Sequence, residues 1–195
     1  MGLFLQAAIM PGCREQEVRN IVRTVAEKYS CSYNEQNTEK TRKYDITDLV
    51  PDKCQYEEHA NGVSILFNEE CIGYEYLAEA ITNESDKVIL LLYIYDGDYW
   101  AYILYDNGKV MDQFNPMPDY FEEVSEEEIQ KSKGNAEVIA KYFHIEKSSI
   151  EKYLVRWSDE TMDEKAYEDD EFGYEDWQMA DFMRKLGYPY EFGEE

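Results

Sequence analysis

Three β-rich runs, Val88–Tyr95, Tyr99–Tyr105 and Val110–Phe114, are separated by the turn sequences Asp96-Gly97-Asp98 and Asp106-Asn107-Gly108-Lys109. No other part of the chain restricts its fold as strongly. Asn-Gly accepts the positive φ angles of a type I′ turn, whose twist matches that of the strands it joins, so these runs predict an antiparallel three-stranded meander. The strands carry Tyr93, Tyr95, Tyr99, Trp100, Tyr102 and Tyr105. Alternation puts Tyr99, Ala101, Ile103 and Tyr105 on one face and Trp100, Tyr102 and Leu104 on the other. Both faces are therefore apolar or aromatic. Either helices cover the sheet on both sides, or one face forms an aromatic pocket lined by Trp100, Tyr102 and Asp112.

The flanking sequence offers such helices. Leu3 to Met10 has the pattern of a buried strand, ended by Pro11-Gly12. Between Arg14 and Tyr29, Val18, Ile21, Val22, Val25 and Tyr29 form one apolar stripe, which predicts an amphipathic helix. Residues 30–59 are polar and poorly patterned, with a short strand expected at Tyr44 to Leu49. Gly62 to Phe67 predicts a strand and Gly73 to Ile81 a short helix. Beyond Asn115-Pro116-Met117-Pro118 the pattern turns helical. One helix is expected at Ala136–Phe143 and a second opens on the capping box Ser148-Ser149-Ile150-Glu151. A third spans Asp176–Leu186 and is stopped by Gly187 and Pro189. The expected fold is α+β: a mixed or antiparallel sheet with a C-terminal meander, two early helices, and a helical C-terminal region packed on the sheet. Residues 1–118 form the sheet core and 119–195 the acidic helical region, together one structural domain.

Charge narrows the class of partner. The 43 Asp and Glu against 19 Lys and Arg leave a formal charge of -24. Such a surface repels nucleic-acid phosphates and anionic lipid and attracts basic proteins. The 18 tyrosines separate this chain from disordered acidic sequences, which lack the aromatics to build a core. Residues 1–118 hold 20 acids and 10 bases, whereas 119–195 hold 23 and 9, so the C-terminal part is about twice as acidic per residue. Its charge is densest from Asp159 to Asp176, with ten carboxylates and one lysine. Aromatics interleave with these acids, the composition of an interface hot spot. The candidate partner-binding residues are Asp163, Glu164, Tyr167, Glu168, Asp169, Asp170, Glu171, Phe172, Tyr174 and Trp177. A segment folded back onto its own body would need the same aromatics.

Other chemistries find little support. Cys13, Cys31, Cys54 and Cys71 form no C-x-x-C pair, and neither His59 nor His144 completes a zinc-type set. No calcium-loop spacing occurs and no glycine-rich phosphate loop, so no metal or cofactor is expected. Cys54, His59 and Asn61 lie close in sequence, but a Cys-His-Asn set is assembled in space, and no catalytic residue is assigned. Residues 136–157 have the cadence of a helix-turn-helix, with Ala140, Ile145, Ile150 and Leu154 at the packing positions. Glu151 near the front of the second helix and the surrounding acidity disfavour DNA. The first ten residues are apolar but short and lack a basic leader, and no run approaches the ~18 residues of a membrane span. The expectation is a reduced cytoplasmic protein with free thiols.

Small size, acidity and a mixed antiparallel sheet are together similar to bacterial immunity proteins that neutralise basic toxins. At this level of class, the similarity implies a non-enzymatic protein whose acidic, aromatic C-terminal region engages a basic partner. The alternatives are a small-molecule or enzymatic domain using the meander pocket, and a regulator acting through residues 136–157.

Overall fold

The computed structural model describes residues 2–32, 43–158, 161 and 164–193. Its strands are β1 (Leu5–Pro11), β2 (Ser30–Cys31), β3 (Ile46–Thr47), β4 (Gln55–His59), β5 (Gly62–Leu66), β6 (Ile89–Tyr95), β7 (Tyr99–Asp106) and β8 (Lys109–Phe114). Its α-helices are α1 (Glu15–Tyr29), α2 (Tyr74–Ser85), α3 (Glu126–Lys131), α4 (Ala136–Phe143) and α5 (Gln178–Lys185). Six strands form one antiparallel sheet in the order β4-β5-β1-β6-β7-β8, and β2 and β3 form a separate parallel pair. The fold is α+β. The meander is present, and its turns use the expected backbone: Asn107 and Gly108 have φ of 50° and 69°, and Asp96 and Gly97 have 53° and 72°.

The chain forms two compact units. One comprises the described residues of 5–91, 104–110 and 191–195. In it β5 lies between β4 and β1, pairing Ile65 with both Tyr56 and Ala8. The expected stripe of α1 turns inward through Val18, Val22 and Val25, and α1 packs on α2, β4 and β5. Arg14 gives α1 no side-chain cap. Glu58 of β4 supplies one, accepting the Glu15 amide at 2.8 Å and the Arg14 guanidinium at 3.0 Å. These bonds hold the Glu58 carboxyl below its ordinary range. Strand β4 was not foreseen within the polar stretch 30–59, because only Tyr56 of its five residues is buried.

The other unit comprises the described residues of 1–4, 92–103 and 111–190. Trp100 and Tyr102 of β7 are completely buried there beneath α5. Phe182 stacks on Tyr102 at 5.6 Å between centroids and lies 5.0 Å from Trp100, while Phe114 adds a third aromatic neighbour. Trp100 Nε1 donates to Gln178 Oε1 at 3.2 Å, satisfying the indole inside the core. Helix α5 ends in a Schellman arrangement, the Gly187 amide donating to the Arg184 carbonyl and the Tyr188 amide to that of Met183.

Two expectations for this unit are corrected. The Ser148–Glu151 capping box opens no α-helix. Lys147–Ser149 and Glu151–Tyr153 are 3-10 turns, with the amides of Ser149, Ile150, Tyr153 and Leu154 each bonding three residues back. The Ser149 hydroxyl donates back to the Glu146 carbonyl at 2.7 Å. With no second α-helix, residues 136–157 are not a helix-turn-helix. Ser125 and Glu128 do form a capping box, opening α3.

Gly73 leaves no room for a side chain. Its φ is +89°, and a Cβ there would lie 2.0 Å from the Asp45 carbonyl oxygen. Gly73→Ala is expected to cost more than about 2 kcal/mol, combining left-handed strain with a backbone clash. Urea unfolding of the two proteins measures this directly, and an equal midpoint would contradict the geometry.

Candidate functional site

Residues 164–177 are fastened to α5 by carboxylates on both sides, Asp169 and Asp170 of the segment and Asp181 of the helix. Asp181 faces the segment from the first turn of α5. Its Oδ2 accepts the amides of Glu171 at 2.9 Å and Phe172 at 2.8 Å, and its Oδ1 accepts Arg184 Nη2 at 3.0 Å. Asp170 is buried. Its Oδ1 accepts the Tyr153 hydroxyl at 2.6 Å and Arg184 Nη2 at 3.3 Å, while Oδ2 accepts the Tyr167 amide at 2.9 Å. Arg184 thus bridges two buried carboxylates, and Lys185 adds ion pairs to Asp169 at 2.6 Å and to Asp170 at 3.9 Å. Both cations sit in the last turn of α5, where the helix dipole also favours positive charge. Burial, and then the bond to Asp170, push the Tyr153 hydroxyl far above its ordinary range.

The aromatics of the segment complete the attachment. The Tyr167 hydroxyl donates to the Ser148 carbonyl at 2.8 Å and accepts the Lys152 amide at 3.2 Å. Its ring lies under the ammonium groups of Lys185 and Lys152, at 4.9 and 5.0 Å. Tyr174 donates to the Lys152 carbonyl at 2.9 Å, and Trp177 lies between Phe172 and Tyr190. Tyr167, Phe172, Tyr174 and Trp177 are all half-buried, whereas Glu164, Glu168, Asp169 and Glu171 are exposed. Asp170 faces the interior, and Asp163 lies outside the described residues. Sequence reasoning missed Asp181, Arg184, Lys185 and Tyr153 as the groups that fix the segment. The available signal was Asp181 and Arg184 at i, i+3 on one helix, the spacing at which an acid and a base meet.

The meander residues serve the core. Trp100 and Tyr102 present no face to solvent. Asp112 is half-buried, and its Oδ2 accepts the Tyr102 hydroxyl at 2.6 Å and the Asn135 amide at 2.9 Å, tying β7 and β8 to the start of α4. Burial raises the Asp112 pKa, while these bonds oppose the rise. Burial, followed by the nearby Asp112 charge, raises that of Tyr102 well above the usual value.

Cys54 and His59 have separate partners. The Cys54 thiol donates to the Val50 carbonyl at 3.5 Å, and His59 Nε2 lies 2.7 Å from Ser64 Oγ, on a residue that is completely buried. Burial raises the thiol pKa of Cys54, which disfavours the nucleophilic thiolate. All four cysteines are unpaired thiols. An open groove between α1 and α2 is lined by Glu17, Asn20, Ile21, Thr24, Glu84 and Ser85. Its two carboxylates are already engaged, Glu17 by Lys87 and Glu84 by Lys28 and Tyr29. Among the described residues, no three His, Cys, Asp or Glu side chains converge as metal ligands, and no helix is long and apolar enough to cross a membrane. The chain matches no family model, no curated protein and no solved structure.

Two outcomes follow from the fastening. Asp170→Ala strands the Tyr153 hydroxyl and the Tyr167 amide and is expected to cost about 2–3 kcal/mol in denaturant unfolding. Asp169 gives a pH signature. Hydrogen bonds from Lys185, and then Arg184, hold its carboxyl down to about 2, below its ordinary 3.8. A depressed carboxyl stabilises the fold fully above its unfolded value, and this contribution disappears as pH falls towards the folded value. In thermal melts from about pH 5 to about pH 2, the wild type should lose stability more steeply than Asp169→Asn between about pH 4 and 2. Parallel acid limbs would show that Asp169 is not held by these cations.

Proposed function

We propose that this chain is a non-enzymatic binding module for a basic protein, and that the outward carboxylates of residues 164–177 belong to the surface that meets it. The observation that supports this reading is the way the segment is anchored. Glu164, Glu168, Glu171 and Glu175 are exposed on a backbone tied down through buried Asp170 and Asp181. A charged surface fixed in advance loses less conformational entropy on association than the same charges on a free tail. Its field accelerates encounter with cationic partners and opposes nucleic acid and anionic membranes. The most concrete partner is a basic toxin, neutralised in the manner of a bacterial immunity protein. The four unpaired thiols fit action in a reducing cytoplasm.

A nona-lysine peptide is a suitable cationic probe, and isothermal titration calorimetry a suitable readout. Replacing Glu164, Glu168, Glu171 and Glu175 together by Gln should weaken binding about tenfold at low salt and flatten its dependence on ionic strength. Unchanged affinity and an unchanged salt slope would remove the segment from the binding surface.

A further inference from the structure

Five aromatic rings gather at the β6–β7 turn, outside the acidic segment. Tyr99, almost completely buried, forms the base and stacks on Tyr95 at 5.8 Å. Edge-to-face contacts then join Phe4 and Phe121 to Tyr95, each at 5.1 Å, and Tyr120 to Phe121 at 4.9 Å. Two links hold the arrangement: the Gly97 amide donates to the Leu3 carbonyl at 2.9 Å, and the Tyr120 hydroxyl donates to the Asp98 carboxylate. Yet Phe121 is 67% exposed and Phe4 52%. Aromatics that served only the core would be covered, and exposed apolar clusters with a polar rim mark interaction sites. The rim here is negative. Asp96, Asp98, Glu122 and Glu123 are all exposed around these rings in sequence, whereas Asp119 is already paired with Arg156.

We infer that this cluster docks an arginine side chain from a segment of a basic protein. A guanidinium is planar and weakly hydrated; it stacks on an aromatic face while its N–H fork reaches a carboxylate beside the ring. The exposed rings Phe121 and Phe4 supply the faces, and Asp98, bonded to Tyr120 within the cluster, the adjacent charge. A lysine ammonium is a strongly hydrated point charge and gains less from the rings. The inference rests on the basic-partner reading and specifies the chemistry of that partner.

The test compares nona-arginine and nona-lysine peptides of equal charge by titration calorimetry, using the full chain. Wild type should bind nona-arginine more tightly. Phe121→Ala should reduce nona-arginine affinity about fivefold or more and change nona-lysine affinity less than about twofold. Phe121→Tyr should restore it, and Phe4→Ala, at a second exposed ring, should reproduce the loss. Unchanged nona-arginine affinity in Phe121→Ala would overturn the inference; retained sensitivity to the four Glu→Gln changes would leave the basic-partner reading standing. Equal losses for both peptides would overturn the assignment to arginine. Binding of neither peptide to wild type at low salt would overturn both.

Discussion

The guanidinium of Arg184 lies between the buried carboxylates of Asp170 and Asp181, and the course of the acidic segment depends on that contact. Burying a carboxylate costs several kcal/mol unless charge and hydrogen bonds replace its water. Here each is replaced. Asp170 accepts a tyrosine hydroxyl and a backbone amide besides the guanidinium, and Asp181 accepts two backbone amides. The amides of Tyr167, Glu171 and Phe172 thereby obtain acceptors without a helix. Residues 164–177 accordingly run as irregular backbone up to the start of α5.

The acidity of the chain therefore has two parts with different physical roles. Inward carboxylates such as Asp170, Asp181 and Asp112 accept hydrogen bonds and define where backbone amides must sit. Outward ones such as Glu164, Glu168 and Glu171 contribute field. Composition alone could not separate them. A carboxylate's role is set by whether donors converge on it, and some of those donors are distant in sequence, as with Tyr153 and Asp170.

What could be read in the sequence follows from the range of the forces involved. Turn chemistry is local, so Asn107-Gly108 announced its hairpin and the stripe of α1 its buried face. The limits of α4 were likewise apparent, Asn135 capping it and Phe143 closing its apolar face. Strand β4 stayed hidden because its stability comes from pairing with β5 and not from its own pattern. The Ser148 capping box misled because a cap favours a helix only where the next turns can continue. At Ile150 the backbone departs to φ -133°, and Tyr153 is drawn into the core from a 3-10 turn. The acidic segment was legible as a candidate surface, but its inward face was not, since Arg184 and Lys185 lie well beyond it. The aromatic cluster was only half visible. Tyr95 and Tyr99 stood out in the meander, while Tyr120-Phe121, beyond the proline stop and among acids, gave no periodic signal.

The central claim is that residues 164–177 form a fixed surface, not a solvated tail. Amide hydrogen exchange at Glu171 and Phe172 tests it most directly, since both donate to the Asp181 carboxylate. The structure requires these amides to exchange at least about a hundredfold more slowly than in an unstructured chain, and Asp181→Ala to remove that protection. Exchange at the unstructured rate in the wild-type protein would contradict the account.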